Sequence, residues 1–141
     1  IKGQAVLLEY DARNRPQLFV DGLHIIPHAD GTTAIGSTTE RVFDDTNSTD
    51  AQCDALIAKA RAAVPALQHA REICRWAGAR PRARTRAPML GAHPFRKGDF
   101  IANGGFKIGF GMAPLAAENL ADFILTGNNT IPEDFDPQAS L

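Results

Sequence analysis

The sequence predicts an α+β chain: a mostly antiparallel sheet with one covering helix, followed by a separate strand–loop–helix unit. Three observations carry this. Asp-Gly pairs at Asp21-Gly22 and Asp30-Gly31 join short β-rich runs, the pattern of an antiparallel meander. Behind Thr49-x-x-Gln52, which reads as a capping box, Cys53, Leu56, Ile57, Ala60 and Val64 recur at helical spacing. The order of elements is strands, helix, strands, helix, without strict βαβ alternation.

Ile1–Glu9 alternates and then runs apolar through Ala5, Val6, Leu7 and Leu8, so it reads as a strand. Tyr10–Pro16 is a turn, Gln17–Val20 a short strand, and Leu23–His28 a strand that Pro27 marks as an edge. Thr32–Thr39 completes the meander. Asp44–Asp50 is a polar loop, and the helix that follows is stopped by Pro65. Ile73–Ala79, around Trp76, returns to strand character, and Pro88–His93 and Asp99–Asn103 read as two further strands. A last helix is expected from Pro114 at its first position, with Ala116, Leu120, Phe123 and Ile124 on one face and Gly127 just past its end. The acidic tail, 128–141, reads as irregular.

At 141 residues the chain can bury a core of its own. A formal net charge of −1 gives no global pull toward nucleic acid or an anionic membrane. No apolar run approaches the roughly 20 residues of a membrane span, and no leader or transit pattern is visible. The chain opens IKGQAVLL without a methionine, so it reads as a fragment that enters on a strand. Cys53 and Cys74 fit neither a metal spacing nor a disulfide framework, which makes a reducing cytoplasmic setting the default.

Arg71, Arg75, Arg80, Arg82, Arg84 and Arg86 fall close together against a single Glu72. The last four alternate, so an extended chain would place them on one face. A solvated edge strand is the plain reading of that stripe. A nucleic-acid stripe is the less favoured one, because no aromatics interleave. Arg80 stands apart. It lies between small residues and Pro81, where a guanidinium held at a bend can grip a carboxylate through two parallel hydrogen bonds. His24 and His28 lack a third metal ligand, and Asp44, Asp45 and Asp50 lack calcium-loop spacing, so no metal site is assigned.

The stretch Asn103–Pro114, NGGFKIGFGMAP, is the strongest functional feature. Its glycines allow close approach to a ligand, and the helix expected behind it offers unpaired amides. It matches neither the phosphate loop GxxxxGK[ST] nor GxGxxG. A tight strand-to-helix turn that needs glycine for packing alone is the competing reading.

Taken in order, GLHIIPHADGTTAIGSTTE, the helix ending in Val64-Pro65, WAGARP, APMLG and NGGFKIGFGMAP resemble the C-terminal half of the FAD-dependent D-amino-acid oxidase and glycine oxidase family. The resemblance runs from Lys2 to Gly127. It implies that residues 1–97 form a substrate-domain sheet and helix, and that 98–127 form the returning strand and helix of a Rossmann-like FAD domain. The N-terminal FAD-binding portion with its GxGxxG would lie outside this chain, and the piece alone would be inactive. Arg80 would pair with the substrate carboxylate. His24 falls where many members place a tyrosine, a departure from the pattern, and Lys107 falls where glycine-oxidase-like members have a basic residue. Gly104, Gly105, Phe106, Ile108, Gly109, Phe110, Gly111 and Met112 would lie against the flavin. The reaction implied is oxidation of the C–N bond of an amino acid or small amine to an imine, with hydride transfer to flavin and no dedicated protein base. A flavin-dependent tRNA-modifying oxidase and a non-catalytic binding domain are the alternatives, and a homo-oligomer is left open.

Overall fold

Strand β1, Lys2–Glu9, alternates strictly in burial, and this period of two sets the first half of the chain. The computed structural model describes residues 1–140, which fall into two compact units, 1–79 and 80–140. In the first unit β1 lies between β4 (Thr33–Gly36) and β5 (Arg71–Ala79), antiparallel to both. Strands β2 (Leu18–Val20) and β3 (Leu23–Pro27) complete a five-stranded sheet in the order β2-β3-β4-β1-β5. Both Asp-Gly pairs sit at hairpin turns as expected, with positive φ at Asp21, Gly22 and Gly31. Thr32–Thr39 is shorter than expected, because β4 ends at Gly36 and only an isolated bridge, Lys2 to Glu40, follows.

Helix α1, Gln52–Ala63, lies on the inward face of the sheet through Cys53, Ile57 and Ala60. These pack with Val6, Leu8, Leu23, Ile25, Ile35 and Leu67 into one core. Thr49 does not cap this helix, contrary to the capping-box reading. The N-cap is Ala51, and the Asp50 carboxylate accepts the Gln52 N–H at 2.8 Å. Asp50 is held in that place by a second task. Lys2 and Gln4 continue the inward face of β1 and are buried with the core. The Gln4 amide donates to Glu40 at 3.2 Å and to Asp50 at 3.0 Å, and its oxygen accepts from the Asp50 N–H at 2.8 Å and the Cys53 thiol at 3.3 Å. Thr38 donates to the same Glu40 carboxylate, and the Lys2 ammonium stands 3.8 Å from it.

The second unit holds an antiparallel pair, β6 (Met89–Ala92) and β7 (Phe100–Asn103), and helix α2 (Gly109–Thr126). The last helix therefore begins five residues before Pro114. Its first turn is the glycine stretch itself, where the Met112 N–H already bonds to the Ile108 carbonyl at 3.1 Å. Pro114 is tolerated inside the helix because it removes only one later bond, the one to the Phe110 carbonyl. Gly127 ends the helix in the left-handed conformation, as expected. The expected apolar face is only half covered: Phe123 meets Phe100 edge to face at 5.6 Å, but Ile124 is exposed. No strand runs through Arg80–Arg86, so the four arginines do not form one stripe. A bridge at Arg82 and a turn from Ala83 to Arg86 break the alternation, with Arg86 at φ 72. The tail carries two short 3-10 turns, Glu133–Phe135 and Pro137–Ser140.

Burial works against the Glu40 charge, but hydrogen bonds from Thr38 and Gln4 and the charge of Lys2 outweigh it and hold the carboxyl below its usual range. The Gln52 backbone N–H does the same for Asp50, with help from Gln4. Both groups therefore stabilise the fold fully above the usual carboxylate range and lose this as pH falls through their lowered values. Gln4→Leu is expected to cost about 2–3 kcal/mol, because it leaves buried acceptors and donors unpaired. The measurement is a lower urea midpoint at neutral pH together with a shallower loss of stability on acidification.

Candidate active site

In the second unit Arg80, Arg82 and Lys107 gather around the turn between β7 and α2. Asn103 closes the end of β7 by accepting the Gly104 N–H at 2.8 Å. Gly104 adopts φ +78, and a Cβ there would stand 3.2 Å from the Ala83 methyl. Gly105 bridges to Arg82, and a Cβ on it would meet the Gly109 backbone at 2.8 Å. These two glycines are required by the packing of the turn itself. Gly109 and Gly111 differ, because a Cβ at either would meet nothing within 4 Å.

The turn delivers Phe106 in a left-handed conformation, φ 45, with its N–H donating to the Pro81 carbonyl at 3.1 Å. That bond ties the ring to the Arg80-Pro81-Arg82 segment. The guanidinium carbons of Arg80 and Arg82 stand 5.7 and 5.9 Å from the Phe106 ring centroid, and the Lys107 ammonium stands 5.7 Å from it. Phe106 and Arg80 are half-buried, whereas Arg82 and Lys107 are exposed. Among the described residues, neither Arg82 nor Lys107 has an acidic partner. Sequence reasoning missed Arg82. Only its bridge to Gly105, invisible in the residue order, turns it toward the ring.

The amides of Gly109, Phe110 and Gly111 precede the first helical bond of α2 and so have no acceptor within the helix. Beside them is an apolar cavity of about 230 Å³, lined by Met89, Ala102, Gly105, Gly109, Met112 and Ala116. Ile108 and Phe110 project outward, and Phe110 is fully exposed. Open backbone, free donors and an apolar wall suit a flat, largely apolar group that carries carbonyl oxygens at one edge.

The remaining residue named from the sequence, His24, belongs to the first unit. It lies on the exposed face of β3, stacked at 4.5 Å on Phe19 and hydrogen-bonded through Nδ1 to the Gln17 amide at 3.2 Å. No cluster of histidine, cysteine and acidic side chains able to hold a metal occurs among the described residues. No helix among them is long and apolar enough to cross a membrane.

The family model described as FAD dependent oxidoreductase matches residues 1–123. Glycine oxidase of Pseudomonas aeruginosa is 31% identical across the whole of this chain, which spans 39% of that protein. The crystal structure of glycine oxidase from Geobacillus kaustophilus superposes with a TM-score of 0.81 at 28% identity, over 96% of this chain and 37% of the other. Iminodiacetate oxidase from Chelativorans sp. BNC1 shares the fold, with a TM-score of 0.85 at 24% identity over 96% of this chain and 38% of the other.

The two kinds of glycine separate in a mutational test. Gly105→Ala is expected to lower the thermal midpoint, since the added methyl meets backbone that cannot yield. Gly111→Ala, in open space on a helix, is expected to raise stability by about 0.5–1 kcal/mol.

Proposed function

This chain belongs to the FAD dependent oxidoreductase family, and on that premise we propose that it is the C-terminal part of an enzyme that oxidises the C–N bond of an amino acid or small amine to an imine. The observation that carries the proposal is the convergence of Arg80 and Lys107 over Phe106, beside a helix start with unengaged amides. In this reading the sheet of the first unit belongs to the substrate domain, with His24 as a substrate contact. Strand β7 and helix α2 return to the FAD domain.

The residues from Gly104 to Met112 fit the flavin end of FAD. The open backbone at Gly109 and Gly111 would admit a ring, and the first-turn amides of α2 would be the donors that hold it. Bound there, FAD would supply the acceptor for a hydride from the substrate's α-carbon. The chain's own contribution is positioning and charge. Arg80 holds the substrate carboxylate through two parallel hydrogen bonds and so fixes the direction in which the α-carbon faces. Lys107 adds positive potential on the same side, and the helix end favours negative charge gathering on the bound ring. No side chain of this unit is assigned as a base, because an amine that enters neutral has no proton to lose before hydride departs.

Helix α2 also fits a place within a larger body. None of its residues is buried, and Leu115, Ile124 and Leu125 present apolar surface to solvent. In the proposed enzyme that surface is covered by the N-terminal FAD-binding portion. Both cysteines are free thiols, which suits the reducing cytoplasm that we assign.

In the full-length enzyme, Arg80→Ala is expected to raise the substrate KM about 100-fold, through the loss of two charge-assisted hydrogen bonds worth about 1.5 kcal/mol each. The bound flavin's absorption spectrum should persist. Unchanged turnover would remove the carboxylate role. The 141-residue chain by itself is expected to bind FAD weakly or not at all, because the dinucleotide fingerprint is absent from it. Stoichiometric yellow colour in the purified piece would contradict that.

A further inference from the structure

Arg80 and Lys107 suffice to orient a single acid group. Arg82 adds a third cation to the same ring, and its placement is built. Its backbone pairs with Gly105 in an antiparallel bridge, so the side chain rises beside the turn rather than along a free strand. All three charges lie within 6 Å of one ring centroid, so any two are separated by less than twice that distance. Each gains only about 0.5–1 kcal/mol from the ring face at an exposed site. Their mutual repulsion opposes that gain. Arg82 and Lys107 are not relieved by any acid among the described residues, while Arg96 of the same unit has Asp99 at 3.0 Å. Such a group is stabilised when an anion with more than one acid function enters it.

On the oxidase reading above, we propose that the substrate carries a second carboxylate and that Arg82 is the residue that selects it. Arg80 takes the carboxylate next to the reacting carbon. Arg82, with Lys107, takes the other. The fork of a guanidinium matches a carboxylate in two parallel bonds, which a lone ammonium cannot do. A nucleic-acid backbone is the less suited partner. Arg84 and Arg86 are carried away from Arg82 by the Ala83–Arg86 turn, so no continuous basic track forms.

The test uses the full-length flavoenzyme and amines that differ by one carboxylate: alanine against aspartate and 2-aminobutyrate against glutamate, each as both enantiomers. At least one diacid is expected to have a kcat/KM about tenfold above that of its monoacid partner. Arg82→Gln should lower the diacid kcat/KM about tenfold more than the monoacid value, so that the ratio is lost, and Arg82→Lys should keep part of it. Arg82 is exposed, so these variants are expected to fold. Calorimetric titration with malonate and acetate reads the same preference without turnover. If no amine is oxidised while malonate still binds about tenfold tighter than acetate in an Arg82-dependent way, the oxidase reading fails and the diacid site stands. The proposal is overturned if no diacid is preferred in either assay, or if Arg82→Gln weakens monoacid and diacid equally. It is also overturned if the positive charge serves salt-sensitive retention of tRNA, lost in Arg84→Gln and Arg86→Gln, with no dicarboxylate preference.

Discussion

The close approach of Gly105 to Gly109 is the constraint on which the candidate site rests. A side chain at Gly105 would stand 2.8 Å from the backbone of the helix that follows. The absence of a side chain lets β7 turn into α2 within a few residues. That tight turn forces Phe106 into its left-handed conformation and lets its N–H reach the Pro81 carbonyl at 3.1 Å. One backbone hydrogen bond thus joins two segments that lie more than twenty residues apart in the chain. It brings the guanidinium groups of one segment against the ring and ammonium of the other.

The same run of arginines is used in two ways. Arg71 meets Glu9 at 2.8 Å, and Arg75 meets Glu72 at 2.7 Å and Asp54 at 2.6 Å. Those carboxylates hold Arg75 firmly charged and are themselves engaged. Past Ala79 the pattern changes, and Arg82 has no such partner among the described residues. Ion-paired cations on β5 serve the sheet edge, where charge discourages pairing with another strand. Arg82 and Lys107, beside Phe106, meet no acid among the described residues. Spacing alone groups six arginines together, and only their places in the structure separate them.

Much of the sheet was legible because its information is local. Asp-Gly fixes a hairpin, and alternation fixes which face of β1 turns inward. Gly127 was readable for the same reason, since an αL residue at a helix end favours glycine. The start of α2 was not. Four glycines and a proline within Gly104–Pro114 argue locally against a helix, and the first turn forms there despite them. Thr49 misled because the carboxylate that accepts the Gln52 N–H belongs to Asp50, which is fixed by Gln4, far away in sequence and close in space. Arg80 and Lys107 could be picked out by residue type and by resemblance. Arg82 depended on a bridge to Gly105 that no spacing reveals.

The relative sizes of the charges around the turn indicate what each can do. A helix end contributes about 0.3–1 kcal/mol to an exposed anion and up to about 2 when partly buried. A single hydrogen bond to a charged group contributes about 1.5–3 kcal/mol. Lys107 and Arg82 are exposed, so salt screens them beyond about 8 Å under physiological conditions. The amides of Gly109 to Gly111 are fixed by the helix and act only on what lies directly against them. The helix end therefore suits a bound ring that stays in place through turnover. The side chains suit an acid that must arrive, be recognised and leave. Arg80, half-buried and tied through Pro81 to the Phe106 backbone, combines a fixed position with the forked donors of a guanidinium. In the proposed enzyme that combination serves to orient the reacting carbon, and the exposed cations beside it are better placed to choose among acids than to aim them.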